Sequence, residues 1–229
     1  MPVKLELPGD LQFINLPQGN QMTATKVKAL ILDYGGVISK PQNSANVNNI
    51  LHILKQEHHD FNEIYQSKRA SYDSGHISGE EYWKSILQHY GLESENSDIS
   101  KLIQEDVKSW THLNDSMIQF VNEIRSKVYK LAIISNMTTD SLAYIRTHFN
   151  WLELFDELIF SCDIGINKPD KRIYEACLTK LNLPPHECLF VDDSADNIRG
   201  AVEVGINTIH FNSISEFLQE LDKNFSLSR

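Results

Sequence analysis

Residues Lys28 to Asp33 read KALILD, a short apolar run that ends on an acid. A run of this length, without alternation, is the pattern of a strand buried on both faces of a sheet. Four more such runs follow: KLAIISN at Lys130 to Asn136, ELIFSC at Glu157 to Cys162, ECLFVDD at Glu187 to Asp193 and INTIHF at Ile206 to Phe211. Helical spacings lie between the last four. Leu142, Ile145 and Phe149 form one stripe, Ile173, Ala176, Cys177 and Leu181 a second, and Ile198, Ala201 and Val202 a third that Gly205 stops. Strand and helix in alternation predict an α/β fold, a Rossmann-like parallel sheet of five strands.

The first crossover is far longer than the others. Between Asp33 and Ser135 four helical stretches fit. Their stripes are Val47, Ile50, Leu51 and Leu54; Phe61, Ile64, Tyr65 and Lys68; Tyr82, Trp83, Ile86, Leu87 and Tyr90; and Ile99, Leu102, Ile103 and Val107. Ser78 to Glu81 has capping-box spacing, and Asp73 to His76 before it reads as a flexible polar loop. We expect a small helical cap over 43–111, inserted after the first strand of a core formed by 26–42 and 112–229. Residues 1–25 are polar and broken by prolines and glycines, an expected extension outside the core.

The chain has 229 residues, enough to bury roughly 70% of its unfolded surface in one domain with an insert. Hydrophobic residues at 41% and charged residues at 23% exclude general disorder. No apolar run reaches 18 residues, so no membrane-spanning helix is expected. The formal charge of −10 argues against nucleic acid and anionic membrane as partners. Cys162, Cys177 and Cys188 fit no ligand spacing and read as free thiols of a cytoplasmic protein.

Chemistry gathers at the strand ends. Ligands of open α/β sheets bind beyond the carboxyl ends of the strands. Asp33, Ser135, Asp192 and Asp193 stand there, and Lys168 follows the third run in the loop GINKPD. Three carboxylates together call for a cation, and hard oxygen donors suit Mg²⁺. A lysine and a serine beside Mg²⁺ suit phosphoryl oxygens, and Asp33 can then attack phosphorus as a nucleophile. Taken singly, each residue has a plainer reading as a strand terminus, a surface loop or a helix cap.

The segments LILDYGGVI, IISN, NKPDKRIYE and FVDDSADNIRGA, in this order, resemble the four motifs of the haloacid dehalogenase superfamily, over about residues 28 to 212. The resemblance implies Asp33 as nucleophile, Ser135 and Asn136 around the phosphoryl group, and Lys168 as its counter-charge. It implies Mg²⁺ on Asp33, Asp192 and the Gly35 carbonyl, with Asp193 acting through water. A cap loop near the site makes His76 a candidate substrate contact, against the plainer reading of an exposed polar loop residue. Most phosphatases of the family carry a second Asp where this chain has Gly35, and 2-haloacid dehalogenases carry Tyr there. The DxGxV motif is similar to that of sugar-1-phosphate phosphatases. The expected activity is Mg²⁺-dependent hydrolysis of a small phosphorylated metabolite, a sugar phosphate among the candidates. The alternatives are a weak or inactive phosphate-binding regulator, or a dehalogenase.

Overall fold

The computed structural model describes residues 24–93, 95–128 and 130–227. The expected extension lies outside these, apart from Ala24 and Thr25. Each of the five apolar runs forms a strand: β2 (Ala29–Leu32), β3 (Lys130–Ser135), β4 (Glu157–Phe160), β5 (Cys188–Asp192) and β6 (Asn207–His210). They pair in parallel in the order β4-β3-β2-β5-β6. The chain thus builds outward from β2 on one side, then crosses back and builds on the other. At such a reversal the two neighbouring loops part and leave a crevice at the carboxyl edge. Two three-residue strands were not foreseen: β1 (Thr25–Val27) and β7 (Phe225–Leu227), which pair with each other in parallel.

Side chains alternate between the faces of the sheet, and each face has its own core. Leu30, Leu32, Leu131, Ile133, Leu189 and Val191 pack with Met117, Val121, Leu142, Ile145, Phe217 and Leu221. These come from helices α6 (Asp115–Ile124), α7 (Thr139–His148) and α11 (Ile214–Asn224). On the other face Ile31, Ile134 and Phe190 meet Ile173, Cys177, Leu181 and Ala201. Those lie on α9 (Lys171–Leu181) and α10 (Ala195–Glu203). A single turn, α8 (Ser161–Ile164), follows β4.

Between β2 and α6 the described residues form five α-helices with a separate apolar core. They are α1 (Ser44–Leu54), α2 (His58–Ser67), α3 (Arg69–Asp73), α4 (Gly79–His89) and α5 (Asn96–Ser109). Ile50, Leu54, Phe61, Tyr65, Tyr82, Trp83, Ile86 and Leu102 fill that core. The Ser78–Glu81 capping box forms as its spacing predicts. The two connecting segments run side by side. Ser39 bridges Leu113, Lys40 N donates to His112 O and Asn43 N donates to Ser109 O.

The stretch expected as a flexible loop at Asp73 to His76 is instead ordered. Asp73 ends α3, Ser74 is buried, and Gly75 adopts φ +71°. A Cβ at Gly75 would lie 3.1 Å from Cys162 O, so the turn docks tightly on the core. Ser161 Oγ donates to Asp73 O at 2.5 Å, and Asn167 Nδ2 donates to Ala70 O at 2.6 Å. These bonds fasten α3 of the insert over the loops that follow β4.

Candidate active site

Asp33 follows β2 directly, and its N–H donates to Val191 O at 2.9 Å. The carboxylate therefore starts from the centre of the sheet edge. Its Oδ1 accepts from Tyr34 N at 2.7 Å. Tyr34 is held in turn: its ring stacks on Trp151 at 5.4 Å, and its hydroxyl donates to Trp110 O at 2.6 Å. Gly36 then takes φ +73°, and a Cβ there would fall 2.1 Å from Asp193 Oδ2. Only glycine lets the loop after β5 come this close.

Lys168 ties the strand ends together. Its Nζ lies 2.7 Å from Asp33 Oδ1, 2.6 Å from Asp192 Oδ2 and 3.0 Å from Ile134 O. Three protons meet three oxygens, which makes burial of this ammonium tolerable. Asn136 holds the lysine's backbone. Its Oδ1 accepts from Lys168 N at 2.7 Å and its Nδ2 donates to Lys168 O at 3.0 Å. Asp192 is fully buried, and its Oδ1 accepts from Ser194 N at 2.8 Å and from Asn197 Nδ2 at 3.0 Å.

Asp33, Asp192 and Asp193 each offer a carboxylate oxygen, and these lie within 4.8 Å of one another. One ammonium does not balance three carboxylates, so the cluster keeps an excess of negative charge. Burial pushes the Asp33 carboxyl upward, Lys168 opposes that, and Asp192 and Asp193 add to it. Burial, then Asp192, likewise pushes Asp193 up. For Lys168, burial acts downward, but Asp33 and Asp192 outweigh it and its shift is upward. The donors are all hard oxygens, with neither His nor Cys among them, and this set fits Mg²⁺ better than a softer metal.

Above the cluster is a cavity of about 350 Å³. From the core, Asp33, Gly35, Ser135, Asn136, Lys168 and Asp193 line it. Asp192 lies beneath, joined to the lining through Lys168. His76 is not in the lining. It is exposed, its Nδ1 lies 2.6 Å from Ser74 Oγ, and a Cβ at Gly165 would lie 3.9 Å from its Nε2. The Gly75 turn, docked on Cys162, directs the imidazole there. The insert supplies other residues instead: Tyr65, Gln66, Arg69, Asp73 and, on the return segment, Trp110. Sequence reading missed these five. The Arg69–Asp73 spacing of an i,i+4 ion pair was their one local signal.

A family profile described as haloacid dehalogenase-like hydrolase matches residues 27–205. The chain is 30% identical over 212 residues to acyl-CoA dehydrogenase family member 10 of Mus musculus, covering 85% of this chain and 19% of that protein. It is 25% identical over 190 residues to sesquiterpene phosphatase astK of Aspergillus oryzae, covering 81% of this chain and 90% of that one. It spans only 19% to 37% of the length of three curated relatives that it matches. Its fold is similar to that of the HAD family enzyme bt-2542 of Bacteroides thetaiotaomicron, solved in complex with magnesium and inorganic phosphate. The TM-score is 0.67, with 20% identity over 83% of this chain and 98% of the other.

Proposed function

Because the chain belongs to the haloacid dehalogenase-like hydrolases, we propose that it hydrolyses a small phosphate monoester, with Mg²⁺ as cofactor and Asp33 as nucleophile. The observation that carries this reading is the Lys168 ammonium set between Asp33 and Asp192, with Asp193 in reach, beneath a cavity that the insert helps to line. The phosphatase name of one relative, and the magnesium and phosphate in one structural neighbour, support it. The three free cysteines support a reducing, cytoplasmic setting.

In the first step an Asp33 carboxylate oxygen bonds to phosphorus as the ester P–O bond breaks, and the leaving oxygen takes a proton from water. In the second, water attacks phosphorus and gives a proton to the hydroxide left by the first step, and the bond from Asp33 to phosphorus breaks to return the carboxylate. Lys168 favours the ionised form of Asp33 and balances charge beside the phosphoryl oxygens, while Ser135 and Asn136 line the place they occupy. When bound, Mg²⁺ would be held by Asp33, Asp192, Asp193 and the Gly35 carbonyl, and would neutralise charge on the phosphoryl group. Gly35 offers no proton to the leaving oxygen, so esters whose leaving oxygen is already stabilised, such as sugar 1-phosphates, are favoured.

The test is phosphate release from glucose 1-phosphate by wild type and Asp33→Asn, with Mg²⁺ and with chelator. Release by wild type with Mg²⁺, and a loss of at least about a thousandfold in either other case, is expected. Full activity of Asp33→Asn, or activity unchanged by chelator, would overturn the reading.

A further inference from the structure

The half of the cavity contributed by the insert has its own charge pattern. Among the described residues Arg69 is its only cation, and its charge is already matched. Its Nε donates to Asp73 Oδ1 at 2.8 Å, and its Nη1 donates to Asp106 Oδ1 and Oδ2 at 3.1 and 2.9 Å. The guanidinium also faces the rings of Tyr65, Tyr72 and Tyr82 at 5.0, 5.3 and 6.0 Å. Asp106 is fully buried, and Tyr65 OH donates to it at 2.5 Å. Two carboxylates to one guanidinium leave this wall one negative charge in surplus. An anion arriving here would have to break a buried pair to reach Arg69, and would meet Asp73 as it did so.

The rest of the wall is aromatic and polar. Trp110 is half-buried, and its Cζ3 would lie 3.7 Å from a Cβ on Gly35, so the indole borders the place beside the nucleophile. Gln66 adds an amide. Asp73 Oδ1 is engaged by Arg69, the side-chain donor to this carboxylate among the described residues, and Oδ2 is left to the cavity side. Among the described residues no aliphatic side chain of the insert lines the cavity. A flat ring, an amide and a free carboxylate oxygen suit a body with hydroxyl donors and one apolar face.

We infer that the insert selects the monophosphate of an uncharged, hydroxyl-bearing body such as a sugar, seated on Trp110 with a hydroxyl donated to Asp73, and excludes substrates bearing a second anionic group. The inference rests on the phosphate cradle proposed above, and it concerns what lies on the other side of the ester oxygen.

Binding tests it without turnover. Calorimetry on the full-length Asp33→Asn protein with Mg²⁺ would use glucose 1-phosphate, glucose 1,6-bisphosphate, 3-phosphoglycerate and farnesyl monophosphate as probes. Glucose 1-phosphate is expected to bind at least about tenfold more tightly than each of the others. Adding Asp73→Asn should weaken glucose 1-phosphate and shrink its advantage over the bisphosphate below about threefold, in a protein whose melting is checked alongside. Equal or tighter binding of the bisphosphate, the carboxylate or the prenyl probe overturns the inference. So does discrimination that survives Asp73→Asn, or no binding of any probe. Phosphate release by wild type is read separately: the expected binding pattern without release from any ester would reject the hydrolase reading and uphold this one.

Discussion

Two adjacent glycines follow Asp33 and Tyr34, and they differ in what they tolerate. Gly36 combines φ +73° with a Cβ position that collides with Asp193, so Gly36→Ala must push the loop after β5 away from Asp33. The expected result is a loss of about ten- to a hundredfold in kcat with a fall in Tm of about 2–4 °C or more, read by steady-state assay and calorimetry. Gly35 has ordinary angles, φ −66° and ψ 127°, and a Cβ there makes normal contact with Trp110. Gly35→Asp should therefore fold and supply the missing acid. It should raise kcat/KM on a simple alkyl phosphate by at least about tenfold while changing an aryl phosphate far less. Equal gains on both esters would contradict the leaving-group argument. That Gly35 stands where an acid is usual was implied by the resemblance to the family. The demand on Gly36 was not, because it comes from Asp193, far away in the chain.

At the scale of elements, the sheet was legible because its strands are buried on both faces, which leaves unbroken apolar runs such as ALIL and CLFVD. The three-residue strands β1 and β7 carry no such run. They exist because Thr25–Val27 meets Phe225–Leu227, a long-range fact that no local window holds. The insert's helices were legible from their stripes, except α3. Its RASYD carries no stripe because Arg69 and Asp73 turn toward the cavity, Arg69 also pairs with Asp106, and Tyr72 alone enters the insert's apolar core. The same burial makes a prediction. Asp106→Ala leaves Arg69 and Tyr65 short of a buried partner and should lower unfolding free energy by about 3 kcal/mol or more. Ser78→Ala removes an exposed cap on α4 and should cost about 1 kcal/mol. Urea titration of both variants gives the ranking, and a smaller loss for Asp106→Ala would mean that its network is not structurally required.

For the molecule as a whole, the proposed reading puts the phosphate chemistry in the core and the selectivity in the insert. The core's share was readable because Asp33, Ser135, Lys168 and Asp192 stand at strand ends or in the loops beyond them, where topology alone brings them together. The insert's share was hidden, since Tyr65, Arg69, Asp73 and Trp110 converge only when α2, α3 and the return segment dock. If the three-carboxylate cluster holds Mg²⁺, folding is linked to the metal. At a hundredfold excess over its dissociation constant, Mg²⁺ should raise Tm by about 5 °C or more, and Asp192→Asn should lose that rise. An equal rise with a sodium salt of matched ionic strength would contradict a specific site. The central claim is that Asp33 itself carries the phosphoryl group during turnover. Rapid acid quench of wild type mixed with glucose 1-phosphate and Mg²⁺, followed by peptide mass spectrometry, tests it most directly. A phosphoryl adduct on the Asp33 side chain, absent from Asp33→Asn, is the predicted result. Steady turnover with no adduct there, or an adduct on another residue, would contradict it.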